Sequence, residues 1–139
     1  MIPVSKPIIL RQDINSVSKV MKDGWITSEG PAVKMFEKKF SNLIKKKYAS
    51  TVSNGTAALE IAIKCLNLKK NDEIIIPNFT IVSNLIAVLK NNLKPVLVDC
   101  DPFTWNMNIE QIKKAINPRT KAILATHIYG YPIEIDKIK

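Results

Sequence analysis

Ser53-Asn54-Gly55-Thr56-Ala57-Ala58 is the stretch whose residue types and spacing point most directly to chemistry. A short run rich in β-branched and small residues, Tyr48 to Ser53, precedes it and reads as a strand. An apolar helical pattern then follows to about Leu66. The segment therefore runs strand, glycine turn, helix N-terminus. Gly55 permits close approach to the main chain. The amides of Thr56, Ala57 and Ala58 are expected to point outward with the positive end of the helix dipole. That arrangement binds a phosphate without any basic side chain. It is neither a Walker loop, having no GKS or GKT, nor a GxGxxG fingerprint. The same residues also read as an ordinary tight turn capped by Thr56.

Few other residues offer chemistry. His127, the only histidine, follows an apolar strand and reads either as a satisfied structural residue or as part of a ligand pocket. Asp99 and Asp101 are better suited to capping the turn before Phe103 than to acid–base work, and Phe103 and Trp105 are expected to pack. Cys65, on a helix face with Ile61, and Cys100, in a loop, have no base motif nearby. With one His and two separated Cys, no metal site is expected.

The elements that must position these residues alternate. Ile14, Val17 and Val20 mark a helix over 11–22, ended by Gly24. A loop containing Trp25, Ile26, Thr27 and Ser28 leads to Pro31, a good first helical residue. Val33, Phe36, Phe40 and Leu43 then predict an amphipathic helix over 31–46. Glu73 to Ile76 is a predicted strand stopped by Pro77, followed by a helix from about 81 to 90. Lys94 to Asp99 is a strand, Ile109 to Ile116 a helix and Lys121 to Thr126 a strand. Four strands alternating with helices imply an α/β fold: three layers, αβα, around a largely parallel sheet. Ile133 to Lys139 reads as the start of another helix without a cap, as though the chain were cut short.

Composition bounds the rest. The 139 residues make about one domain's worth of chain, 46% hydrophobic and 24% charged, a mix that excludes disorder and low complexity. No apolar run approaches the roughly 20 residues of a membrane span, and the opening lacks a signal peptide's basic n-region. A cytoplasmic protein with reduced thiols is expected. The net charge of +9 comes from 19 Lys and only Arg11 and Arg119, dispersed apart from Lys45-Lys46-Lys47. Base-edge and bidentate phosphate contacts favour Arg, so nucleic acid is not the expected partner.

Ser53 to Leu59, read SNGTAAL, closely resembles a segment of the sugar-nucleotide aminotransferases, the DegT/StrS type of fold-type I pyridoxal-phosphate enzymes. Four further stretches resemble the same family in the same order. They are Gly24 to Pro31 with Phe36-Glu37, Asp72 to Thr80, Lys94 to Asp101, and Pro118 to Ile123 with His127-Ile128-Tyr129-Gly130. Together they cover roughly residues 3–136. Asp101 to Asn108 is similar to a stretch of the perosamine-type, 4-amino enzymes.

The resemblance implies an incomplete large domain over 1–139, with pyridoxal 5'-phosphate as cofactor. Gly55, Thr56 and Ala57, with neighbouring Asn54, would hold the cofactor phosphate, mainly through amides. The position that normally stacks an aromatic ring on the pyridine is Ile81 here, so Ile81 covers the ring by apolar contact or Phe79 takes over. His127 would line the cofactor pocket, and Trp25, Ile26, Thr27 and Ser28 would lie near a nucleotide-sugar. The reaction that the resemblance implies transfers an amino group, with glutamate as donor, to a keto group of a nucleotide-linked deoxysugar. A homodimer is implied. The chemistry also needs a lysine to carry the cofactor and an acid to keep its pyridine nitrogen protonated. In the family both lie downstream of the His127–Gly130 stretch, and neither motif occurs here. The chain alone is expected to be inactive, with no catalytic residue of its own. A dehydratase of the same family and an inactive remnant are the alternatives.

Overall fold

The computed structural model describes Ile2 and residues 5–139. They fall into two compact units, one ending at Thr51 and one spanning Val52–Lys139.

The first unit holds two helices, α1 (Arg11–Lys22) and α2 (Pro31–Leu43). In α1, Asp13 Oδ2 accepts the Leu10 amide at 2.8 Å, while Lys19 and Lys22 occupy the last turn. Each charge thus faces the favourable pole of the helix dipole. Gly24, at φ +77°, ends it. The loop then folds Trp25 onto buried Gly30, where a Cβ would come within 3.3 Å of the Trp25 Cβ. Expected to reach residue 46, α2 stops at Leu43, because Lys45 turns into the left-handed region at φ 54°. The predicted strand over 48–53 does not form. A strand needs a neighbour for its ladder, and none among the described residues pairs with this run. Thr51 is held instead by Glu37, whose Oε1 accepts its amide at 2.8 Å and its hydroxyl at 3.0 Å.

The second unit is built on β1 (Glu73–Pro77), flanked by β2 (Lys94–Val98) and β3 (Thr120–Ile123) in the order β2-β1-β3, all parallel. Every residue of β1 is buried. Pleating sends Ile74 and Ile76 to one face, where they meet Ile63 of α3 (Gly55–Lys64) and Ala87 and Val88 of α4 (Ser83–Lys90). Ile75 points to the other face, against Val98, Met107 and Ile112 of α5 (Ile109–Ala115). Three layers around a parallel sheet are therefore observed as expected, with three strands rather than four. Expected to run to Thr126, β3 closes after the Leu124 amide bonds Ile75 O at 2.9 Å. Beyond that point Pro77 has no N–H to offer the ladder. The helix expected from Ile133 is a single 3₁₀ turn, Ile135–Lys137.

At the amino ends of the strands, Glu73 is 2% exposed. Its carboxylate accepts from Asn117 Nδ2 at 2.7 Å and Arg119 Nε at 3.0 Å, with Lys94 Nζ at 3.5 Å. The Asn117 hydrogen bond above all, then the two cations, hold it below its ordinary value against the opposing cost of burial.

Candidate functional site at the carboxyl ends of the strands

Both α3 and α4 begin where ligands bind in open parallel sheets, beyond the carboxyl ends of the strands. The cap of α3 is Asn54, not Thr56: its Oδ1 accepts the Ala57 amide at 2.9 Å. The Ala58 amide closes the first turn on Asn54 O at 3.1 Å. Two of the three amides expected to face outward are therefore used within the helix, Ala57's among them. The open donors are the Gly55 and Thr56 amides, which have no acceptor among the described residues.

Gly55 is not required by its own backbone. Its φ is not positive, and a Cβ built there meets nothing within 4 Å. Glycine at a helix start costs backbone entropy that a side chain would lessen. Space kept open above two free amides at a helix N-terminus fits a phosphate group. The Thr56 hydroxyl is fixed by a 2.8 Å bond to Ser83 Oγ at the start of α4. One hydroxyl hydrogen of that pair is left for a further acceptor.

One residue on, Asn84 is buried at 4% exposure, and its Nδ2 donates to Thr126 Oγ1 at 2.9 Å and to Thr80 Oγ1 at 3.2 Å. These bonds fasten the loop after β1 and the start of α4 to the segment that follows β3. Neither Ser83, Asn84 nor Thr126 was singled out in the sequence. The signal was the polar pair opening SNLIAVLK ahead of an apolar run: an amide on a buried face must find partners.

Phe79 and Ile81 leave β1 toward different neighbours. Phe79 lies 5.1 Å from the Trp105 ring and 6.5 Å from Tyr129, on the loops that follow β2 and β3. Ile81 is 69% exposed and lies two residues before the start of α4. Trp105 and Tyr129 both hold left-handed backbones, φ 62° and 48°, which bulky residues rarely adopt. With Phe103 and Tyr131 they line an open cavity of about 540 Å³. Both were expected to pack, but Trp105 is 53% exposed with one ring face against Phe79, and Phe103 is 90% exposed. Its loop is pinned from below by Asp101, which accepts the Phe103 and Thr104 amides at 3.0 and 2.9 Å, leaving the ring free. These bonds, Thr104's first, lower the Asp101 pKa, in line with the capping role expected of it.

His127 Nδ1 accepts the Ile133 amide at 3.1 Å, so the neutral ring carries its proton on Nε2 and can donate there. In the first unit, Trp25 is 46% and Ile26 80% exposed, while Thr27 Oγ1 accepts the Glu29 amide at 3.4 Å. Ser28 is exposed. Among the described residues no cluster of His, Cys, Asp or Glu could hold a metal ion, and no helix is long and apolar enough to cross a membrane.

An αβα layering with an amide-lined helix start beyond a parallel sheet defines a class of folds that seat phosphorylated ligands. Residues 7–139 match the profile of the DegT/DnrJ/EryC1/StrS aminotransferase family, and the chain belongs to that family. It is 36% identical over 137 residues to GDP-perosamine synthase of Escherichia coli O157:H7, covering 99% of this chain and 38% of that protein. Its fold matches a putative sugar aminotransferase from Streptococcus pneumoniae in the PLP form, with TM-score 0.88, 29% identity, 99% of this chain and 35% of that one. It also matches the E. coli GDP-4-keto-6-deoxy-D-mannose-3-dehydratase with bound hydrated PLP, with TM-score 0.88, 31% identity, 98% of this chain and 36% of the other. The chain thus spans little more than a third of the relatives it matches.

Proposed function

We propose that these residues form the N-terminal, phosphate-holding part of the large domain of a pyridoxal-phosphate enzyme. The reaction is transfer of an amino group, from glutamate, to a keto group of a nucleotide-linked deoxysugar, with perosamine-type 4-amination favoured by the relative in E. coli O157:H7. The observation that carries the reading is Gly55: open space above free Gly55 and Thr56 amides, beside a Thr56 hydroxyl fixed by Ser83.

When bound, pyridoxal phosphate supplies an electron sink for charge developing on the amino donor. This chain's residues hold it. The Gly55 and Thr56 amides and the Thr56–Ser83 hydroxyls take the phosphate, and Asn54 and Ala57 keep the helix start in shape. Between the candidates for the ring face, Ile81 is favoured. It leads into α4 two residues before Ser83, which bonds Thr56, whereas Phe79 is engaged by Trp105 and Tyr129. His127 offers its Nε2 proton, and the Trp25–Ser28 loop is assigned to the nucleotide-sugar. The lysine and the acid belong outside these residues, and a second copy of the chain is the expected partner.

Titrating the chain with pyridoxal phosphate, read by cofactor absorbance, tests this. Gly55→Val should weaken binding about tenfold or more, equivalent to roughly 1.4 kcal/mol, while leaving the melting temperature in place. Unchanged affinity would remove the phosphate cradle. Amino transfer from glutamate by the 139-residue chain alone would overturn the placing of the lysine elsewhere. A dehydratase is the second reading, favoured by the match at TM-score 0.89 to GDP-4-keto-6-deoxymannose-3-dehydratase. Both readings share the cradle and differ at the lysine position.

A further inference from the structure

We infer that Asn54–Gly55 is a self-modification site: the Gly55 main-chain nitrogen attacks the Asn54 side-chain amide, and a phosphate group seated on Gly55 shields it. The shielding rests on the phosphate reading above; the modification does not.

Of the twelve asparagines, Asn54 alone is followed by glycine. Ring closure between a side-chain amide and the next main-chain nitrogen is blocked chiefly by the next residue's side chain and by a committed amide hydrogen. Neither obstacle exists here. Gly55 has no Cβ, a Cβ placed there would meet nothing within 4 Å, and its N–H has no acceptor among the described residues. Both residues are exposed to water. In the closed turn Ala57 N–H donates to Asn54 Oδ1 at 2.9 Å and Asn54 Nδ2 donates to Ser53 Oγ at 3.2 Å, so the side-chain amide is released when that turn opens. Other asparagines are less open. Asn84 and Asn106 are buried, and those followed by Leu, Ile, Phe or Met carry a bulky neighbour.

In the step, a bond forms between Gly55 N and Asn54 Cγ, and the Cγ–Nδ2 bond breaks. The Gly55 amide proton ends on the leaving nitrogen, which departs as ammonia. Water then opens the five-membered imide. Cleavage on the side-chain side gives aspartate. Cleavage on the main-chain side gives isoaspartate, which threads the backbone through the old side chain. Nothing is oxidised or reduced. Asn54 must turn away from ψ 171° to close the ring, so the event follows fraying of the first turn of α3. Either product puts a carboxylate where the phosphate is held, and isoaspartate also displaces the Gly55 amide. An occupied site keeps the Gly55 N–H bonded and the turn closed, so the cradle ages when empty.

The purified chain, incubated at mildly alkaline pH and mapped by peptide mass with separation of Asp from isoAsp, gives the test. Asn54 should convert ahead of Asn15 and Asn71, and Gly55→Val should slow it to their rate. Inorganic phosphate and pyridoxal phosphate should slow it in the parent chain, while pyridoxal without the phosphate should not. The aged chain and Asn54→Asp should both bind pyridoxal phosphate about tenfold or more weakly, through like-charge repulsion. Asn54 persisting as long as Asn15 would overturn the inference. Rapid conversion unaffected by either phosphate compound would uphold the modification, and would remove the shielding together with the phosphate reading.

Discussion

The two ends of the same three-stranded sheet are built on opposite plans. At the amino ends, Glu73 is nearly inaccessible and draws together Asn117 and Arg119, which precede β3, and Lys94, the first residue of β2. Polar groups there answer one another. At the carboxyl ends, two helix-start amides lack acceptors among the described residues, a Cβ at Gly55 would meet nothing within 4 Å, and Trp105 and Tyr129 hold strained backbones with half or more of their surface exposed. Yet among the described residues no buried side-chain nitrogen or oxygen is left unpaired. Burial therefore leaves no side chain unpaired there, while Asn54 and Gly55 at the open end are exposed to water. One end fastens the strands, and the other keeps donors available.

The largest effect that separates the ends should come from Glu73. Glu73→Ala strands Asn117 and Arg119 around a vacated acceptor, and should lower the urea midpoint more than any single change at the carboxyl end. Pyridoxal phosphate affinity, measured where both chains are folded, should hold. The sign with pH is set by the direction of the shift. The folded-state value of Glu73 lies below its ordinary 4.5, so its contribution is present above 4.5 and fades as pH falls through the folded-state value. Glu73→Gln should flatten that acid limb of stability against pH. An unchanged limb would mean that the cluster is not what fastens the strands. Asp101 and Glu110, also lowered, leave a residual slope of the same sign.

At the open end the corresponding change is smaller. Asn54→Ala removes the cap of α3 and should cost about 1 kcal/mol in chemical denaturation, as such caps do. Thr56→Ala breaks the Ser83 contact without touching the cap, and should cost less. The reverse order would restore Thr56 as the cap.

That reversal marks where sequence reasoning reached its limit. Asn54 and Thr56 both have side chains that cap helices, two residues apart, and only the backbone decides which one turns its oxygen inward. The bounds of α1 and the strand in β1 were legible because apolar spacing and a closing Gly24 or Pro77 are local signals. The strand over 48–53 was misread because β-branched composition states a preference, whereas a strand exists only with a partner. The glycine turn and the helix start at Gly55 were legible from local signals. Ser83, Asn84 and Thr126 were not, since their roles depend on contacts between segments 27 to 46 residues apart. Phe103 was expected to pack by its type, but a loop pinned by Asp101 holds it out.

The smallest effect is the most specific to the open end. Tyr129 stands at φ 48° with 87% of its surface exposed, so its strain is not offset by burial. Tyr129→Gly relieves about 1 kcal/mol of left-handed strain. It gives back roughly half of that through glycine's greater freedom in the unfolded chain, and loses part of a 6.5 Å contact with Phe79. The net change in unfolding free energy should lie within about 0.5 kcal/mol of zero. A loss well beyond that would show the Tyr129 ring to be part of the fold's own packing, and the open end would be narrower than its exposure suggests. A change near zero leaves the fold with no use for an aromatic side chain in that strained position, so the reason for it lies in what the open end meets.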